Sequence, residues 1–263
     1  MALLNRRERE RKTVEDISWF HSVDLGDGVV TPGAKSPELL RAEFDSLGLP
    51  SDMTGLRVLD IGAWDGFFSF EAESRGADVV ALDHYVWSVD TTALNAHNRD
   101  RAAQGLPAQP ADTVPGMWDP KRLPGKAGFD LAHARRKSRV KVEVGDTTTM
   151  DLAPLGTFDV VLYLGVLYHL QDPIGALRRL RTLTRGRALI ETASLTVPGN
   201  EDRALWQFIE GTELNGDPTN WWVPTVEGAL AACRAAGFSE VSVQKAPEPD
   251  ENGWGRLLVN AVA

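Results

Sequence analysis

Between residues 57 and 194, apolar runs of strand length alternate with segments of helical pattern, and this alternation limits the possible folds more than any other feature. RVLDIG (57–62), DVVALDH (78–84), VKVEVGD (140–146), FDVVLYLG (158–165) and GRALIETAS (186–194) are short and rich in Val, Leu and Ile. Such runs read as strands buried on both faces. FFSFEAESRGA (67–77), FDLAHARRKSRV (129–140), PIGALRRLRTLT (173–184) and TVEGALAACRAAGF (225–238) read as helices. A helix between two strands returns the chain to the same end of the sheet, so those strands run parallel. SEVSVQKA (239–246) and WGRLLVNAVA (254–263) follow the last helix and are expected to add antiparallel edges. The predicted class is α/β: a mostly parallel, seven-stranded sheet with helices on both faces.

The flanking segments predict attachments to one large domain at 51–263. Residues 1–50 read as an N-terminal leader or lid. RRERERK (6–12) has alternating charge, which reads as a solvated helix face, with an RNA-contacting arm as the lesser alternative. SWFHSVDLGDGVVTPG (18–33) is turn-rich. In SPELLRAEFDSLGL (36–49), Ser36 is suited to cap a helix, Pro37 to open it and Gly48 to stop it. Residues 88–128 interrupt the alternation with VPGMWDPKRLPG and predict a long irregular insertion over the acceptor site.

Composition narrows the partners. At 263 residues and 43% hydrophobic, the chain has enough apolar surface for a large core. Its 28 Lys and Arg against 37 Asp and Glu give a net charge of -9, which disfavours nucleic acid over the surface as a whole while leaving room for a local basic patch. No run of about 18 apolar residues and no secretory stretch is present, so a cytoplasmic protein off the membrane is expected. The one cysteine, Cys233, lies in a helical pattern and predicts a buried thiol. No His, Asp or Glu spacing demands a metal. Asp146 and Asp159 are the acids a divalent ion would recruit, but Asp159 reads better as the turn residue opening its strand. A homo-oligomer is compatible with all of this.

Ligands of open parallel sheets bind beyond the carboxyl ends of the strands. The first strand ends in VLDIGAWDGFFSF (58–70), where Gly62 and Gly66 allow a sharp turn and a close backbone approach. The helix that follows points its first N–H groups into the same space. Asp83 ends the second strand about 20 residues later, and a carboxylate there accepts both hydroxyls of a ribose. Gly145-Asp146 ends the third strand, and Leu164-Gly165 ends the fourth. Any one of these is explained by an ordinary turn; the ordered series points to a nucleoside. The first loop resembles the Asp/Glu-x-Gly-x-Gly-x-Gly signature of class I S-adenosylmethionine (SAM) methyltransferases. It departs from it at the middle glycine, where Trp64 stands, and it does not give the dinucleotide pattern G-x-G-x-x-G. The resemblance implies a Rossmann-like methyltransferase fold with SAM as cofactor. It implies a cofactor site formed by Asp60, Gly62, Ala63, Trp64, Gly66, Asp83, His84, Asp146, Thr147, Leu164 and Gly165, with Asp146 facing the adenine amino group. In the leader, His21 and Asp24, or a hydroxyl such as that of Thr31, are expected to close over the cofactor.

GVLYHLQDPIGAL (165–177), ALIETAS (188–194) and NWWVPTVEGALAACRAAGF (220–238) carry a closer resemblance. Over residues 18–245 the chain is similar to the bacterial enzymes that carboxymethylate wobble uridine in tRNA from carboxy-SAM. Those enzymes carry a long basic N-terminal extension where residues 1–17 stand here. The resemblance implies that Tyr168 and a leader lysine would hold the extra carboxylate, but the lysine position falls at Phe20 or His21, with Lys35 as a substitute. The expectation is therefore ordinary SAM and methyl transfer to a hydroxyl of a small molecule, a saccharide or specialised metabolite. The alternatives are carboxymethyl or methyl transfer to tRNA 5-hydroxyuridine and, in another class, a non-catalytic SAM-binding regulator.

A hydroxyl acceptor must lose its proton as the new bond forms, so a base at contact distance is needed. His169 is the first candidate, with loop-shaping through a backbone bond as the competing reading. Glu191 is either a base or an anchor. Trp206, Glu210, Asn220, Trp221 and Trp222, with Trp118 in the insertion, are the expected acceptor contacts, since tryptophans beside amides and acids suit a sugar, an aromatic ring or a base. Core or lid packing is the alternative for each tryptophan.

Overall fold

A computed structural model describes residues 13–263 apart from 27, 86–90, 108, 110–112, 118, 120–123, 212 and 218, and apart from the side chains of 91, 92, 95 and 124. The RRERERK run and Trp118 thus lie outside the described residues. The helices are α1 (Pro37–Ser46), α2 (Phe67–Ser74), α3 (Thr91–Ala103), α4 (Ala127–Arg136), α5 (Pro173–Leu183) and α6 (Val226–Ala235). The strands are β1 (Arg57–Ile61), β2 (Asp78–Asp83), β3 (Lys141–Val144), β4 (Phe158–Leu164), β5 (Thr184–Leu195), β6 (Trp206–Phe208), β7 (Trp222–Pro224), β8 (Glu240–Lys245) and β9 (Trp254–Val262). The chain divides into two units. One takes in residues up to Leu40, Trp64–Phe67 and His84–Arg139; the other comprises Arg41–Ala63, Phe68–Asp83 and Val140–Ala263.

The second unit holds a seven-stranded sheet in the order β3-β2-β1-β4-β5-β9-β8. β1 pairs in parallel with β2 and β4, and β5 in parallel with β4. The expected antiparallel edge is β9 against β5, with β8 outside it. The chain runs outward from β1 to β3 and then restarts at β4 on the other side of β1. This reversal opens a crevice at the carboxyl ends of β1 and β4. The strands form where the sequence is apolar on both faces: Val58, Leu59, Val161 and Leu162 are fully buried. In α5, Asp172 caps the first turn by accepting from Gly175 N, and Ala176, Leu177, Leu180 and Leu183 form its buried stripe. Thr225 caps α6 in the same way. Cys233 is buried on α6, and burial pushes its thiol up to about 12, so it is a packing group.

The sequence reading missed a hairpin, β6 with β7, which returns the chain after β5. Its strands are three residues each, too short for an alternation signal. It is held to β5 by Ser194 Oγ, which donates to the Pro224 carbonyl at 3.1 Å.

In the first unit the leader is organised by one buried carboxylate. Asp65 accepts from the N–H groups of Phe20 (2.8 Å) and His21 (3.0 Å). Gly128 leaves room for this clamp, since a Cβ there would meet Asp65 Oδ1 and come within 3.1 Å of the Trp19 ring. The insertion expected to be irregular at 88–128 contains the 13-residue helix α3. Its sequence, TTALNAHNRDRAA, has good helix formers but no apolar stripe, so periodicity is silent where propensity is not.

Candidate functional site

The carboxyl end of β1 turns sharply. Gly62 has φ +80° and its N–H bonds the Leu82 carbonyl at 2.9 Å, tying the turn to β2. A Cβ at Gly62 would lie 2.5 Å from Val166 Cγ2, so only glycine fits. Ala63 is buried beside it. Asp60 is also buried, and Ser69 Oγ donates to its carboxylate at 2.6 Å. Burial pushes the Asp60 carboxyl up to about 7; the Ser69 bond opposes this and the charge of Asp83 adds to it. Asp83 closes β2, and its carbonyl accepts from Gly145 N at 3.1 Å, which fixes the end of β3 beside it. Asp146 Oδ1 accepts from both N and Oγ1 of Thr148 at 2.7 Å, so one carboxylate oxygen shapes the turn. Thr147 is held through its carbonyl by Arg179 Nε at 2.6 Å. Leu164 ends β4, and Gly165, at φ +75°, donates to the Glu191 carbonyl. A glycine cradle at the first strand end and a carboxylate at the second are what a nucleoside requires there, so the residues present fit such a group.

Within the first unit, Trp64 stands where the signature carries glycine and has φ 50°, the left-handed backbone a glycine would adopt. That conformation strains a bulky side chain. The Trp64 ring packs 5.5 Å from that of Phe20. Gly66 follows at φ +86°. The leader groups are engaged locally. Thr31 Oγ1 accepts from Val23 N at 2.8 Å and reaches the His21 carbonyl at 3.2 Å. His21 is buried, and burial, aided by the charge of Lys35, brings its imidazole down to about 3, so it is neutral at physiological pH. Asp24 closes its own turn by accepting from Gly26 N. The Lys35 ammonium lies 5.5 Å from the centroid of the Phe20 ring. His84 is half-buried after Asp83.

Beyond β4, a single 3-10 turn (Leu167–His169) presents Tyr168 and His169 with their rings 4.3 Å apart. Two clusters meet this turn. In the first, Arg256 binds both carboxylate oxygens of Glu191, with Nη2–Oε2 at 2.6 Å. The same guanidinium donates to Tyr168 Oη at 3.2 Å and stacks over its ring. Both carboxylate oxygens of Glu191 are thus engaged by Arg256. In the second, His169 Nδ1 lies 2.9 Å from Thr219 Oγ1, which donates to Asp217 Oδ1 at 2.7 Å. Burial lowers the imidazole below its ordinary value, although Asp217 opposes the shift.

The expected acceptor residues divide. Trp221 N donates to the Tyr168 carbonyl at 2.8 Å, and Trp222 Nε1 to the Gln171 carbonyl at 3.1 Å, so both attach to the Tyr168–His169 turn. Phe208 packs 5.1 Å from Trp222 and is 49% exposed, giving the hairpin an aromatic surface. Asn220 is buried, donates to the Leu214 and Asp217 carbonyls, and shapes this loop. Glu210 is exposed. Trp206 packs on the core and donates from Nε1 to the Gly228 carbonyl at 3.2 Å, which makes it a brace for α6.

With this geometry established, comparison with known proteins is decisive for the family. Residues 34–243 match the family model described as a methyltransferase domain. The chain belongs to that methyltransferase family. Its class is I, and SAM is its cofactor. Similar curated proteins include the tRNA U34 carboxymethyltransferase of Pseudomonas putida (strain GB-1), 26% identical over 78% of this chain and 54% of that protein. The enzyme of the same name from Campylobacter jejuni (strain RM1221) is 29% identical over 47% of this chain and 41% of that one. The methyltransferase chain thus spans about half the length of these relatives. Among solved structures, the N-terminal domain of EvdMO1, crystallised in the presence of SAH and D-fucose, shares the fold at TM-score 0.56. It is 19% identical, over 98% of this chain and 97% of that one.

Three features of the structure carry no clear signal in the sequence. Arg256 sits in an apolar strand and meets Glu191 and Tyr168 only through the pairing of β9 with β5. Asp217 and Thr219 belong to an irregular loop whose spacing carries no periodic signal. Asp65 was the one acid of the glycine loop given no role. Its place between Trp64 and Gly66 was the available clue. Asp159, expected as a turn residue, lies within β4 one position after Phe158, where it accepts from Arg57 N and pairs with Arg185.

Proposed function

We propose that this methyltransferase transfers a methyl group to a hydroxyl of a small, ring-bearing, uncharged molecule, a saccharide or a specialised metabolite. The observation that carries the reading is the aromatic hairpin joined to the Tyr168–His169 turn. Phe208, Trp221 and Trp222 offer flat, partly exposed faces of the kind that bind sugar or aromatic rings. When bound, the cofactor supplies a methyl carbon on a sulfonium; a bond from the acceptor oxygen forms as the carbon–sulfur bond breaks. The remaining work belongs to the chain: holding the acceptor in line, excluding water and taking the hydroxyl proton. His169, neutral because burial lowers its pKa, is the group suited to that last role.

A second reading, carboxymethyl transfer to tRNA, draws on Arg256, a cation beside Tyr168 that the sequence alone did not reveal. Glu191 already balances that charge with both carboxylate oxygens, which favours the ordinary donor. The test is incubation of the protein with SAM labelled in its methyl group and, separately, with carboxy-SAM. The acceptors are a panel of sugars and phenols and tRNA bearing 5-hydroxyuridine. Label on the hydroxyl of a small molecule is expected. Carboxymethylated tRNA, with no small-molecule product, would overturn the proposal.

A further inference from the structure

We propose that Thr219 and Asp217 are positioning residues that hold His169 as one tautomer, with the proton on Nδ1 and the lone pair on Nε2. This deepens the O-methyl reading above and rests on it for its purpose. The geometry itself does not depend on the acceptor.

Donors and acceptors around the ring decide its tautomer. Asp217 Oδ1 lies 2.7 Å from Thr219 Oγ1 and 2.8 Å from Thr219 N. A carboxylate has no proton to give, so the Thr219 hydroxyl hydrogen is directed at Asp217. The hydroxyl oxygen is then an acceptor toward His169 Nδ1 at 2.9 Å. Thr219 imposes the same choice a second time, since its carbonyl lies 3.3 Å from Nδ1 and a carbonyl only accepts. Both contacts require hydrogen on Nδ1. A neutral imidazole protonated at Nδ1 carries its lone pair on Nε2, and among the described residues no hydrogen bond reaches Nε2. The arrangement follows the logic of an acid orienting a histidine, with a hydroxyl between them.

The charges around the ring suit a base. Burial lowers the imidazole pKa most. Asp217 and the Thr219 carbonyl raise it, and Arg256, held by Glu191 and Tyr168, lowers it. The resting ring is therefore neutral. When the acceptor hydroxyl reacts, its O–H electron pair stays with the oxygen and its proton goes to Nε2. The resulting imidazolium faces Asp217 through Thr219, and it returns the proton to solvent after release.

The test is nitrogen–proton correlation NMR on histidine-labelled full-length protein without ligand. His169→Asn identifies the signals of His169 among the five histidines. The expected result is a protonated Nδ1 and an unprotonated Nε2. Thr219→Val removes the 2.9 Å hydroxyl contact and leaves the carbonyl, so it should shift part of the population to Nε2–H, and Thr219→Ser should restore the wild-type pattern. Asp217→Asn should move the midpoint of the His169 titration downward, because the charge facing the imidazolium is gone. A wild-type His169 protonated on Nε2 would overturn the proposal without any variant. If the Nδ1–H tautomer holds but His169→Ala methylates a hydroxyl acceptor at the wild-type rate, the positioning stands and the functional reading fails.

Discussion

At the ends of β1, β2 and β3, each group sits on the strand that places it. Beyond β4 and β5, groups are gathered from distant parts of the chain. Asp60, Gly62, Asp83 and Gly145 occupy their positions because the backbone brings each strand to the same end of the sheet. His169 is set by Thr219, 50 residues away, and Glu191 by Arg256, 65 residues away. The first region is fixed by topology and is suited to a cofactor that does not change. The second is fixed by side chains on a loop and a hairpin, which can be altered without disturbing the sheet. A methyltransferase can thus keep its donor site while its acceptor site diverges.

The comparison can be broken by single changes. The largest effect is expected from His169→Ala, which should lower turnover by about 100- to 10,000-fold, the range of general base catalysis, without weakening SAM binding. Parallel losses in both would join the two regions. Asp60→Asn probes the cofactor end through pH. Burial raises the folded carboxyl from 3.8 to about 7, so the folded state favours the protonated form. Its contribution to stability is complete below pH 4 and is lost as pH rises through 7, by up to on the order of 4 kcal/mol. Urea unfolding across that range should show the wild type losing stability relative to Asp60→Asn. A constant difference would remove Asp60 as a titrating group.

Asp83→Ala should weaken SAM binding by about 10- to 100-fold, the loss expected for hydrogen bonds to a charged group. The smallest effect is expected from Trp222→Ala, a rise of about 3- to 10-fold in acceptor KM with SAM affinity unchanged, consistent with the loss of one aromatic contact. An altered SAM affinity in that variant would place the hairpin with the cofactor end.

The same contrast governs what could be read from the sequence. β1, β2, β4, β5 and β9 were legible because buried strands are apolar runs with turn residues at their ends; β3 and β8 are largely exposed edge strands in which valines alternate with polar residues. The acids at those ends followed from strand order. Trp64 was visible as a departure from the glycine signature, but its left-handed backbone was not, because an unusual φ leaves no pattern in composition. α3 was missed for want of an apolar stripe, and the β6–β7 hairpin because its strands are short. Arg256 could be assigned to Glu191 only once the register of β9 on β5 was known. Nothing in DPTN (217–220) announces that its acid and hydroxyl address a histidine on another loop.

The most direct measurement is calorimetric titration of SAM into the wild type, Asp83→Ala and His169→Ala. The account predicts one site per chain, affinity lost at least 10-fold in Asp83→Ala, and wild-type affinity in His169→Ala, since only the first change touches the strand ends. Unchanged affinity in Asp83→Ala, or an equal loss in both variants, would contradict the division between a topological cofactor site and a side-chain-built acceptor site.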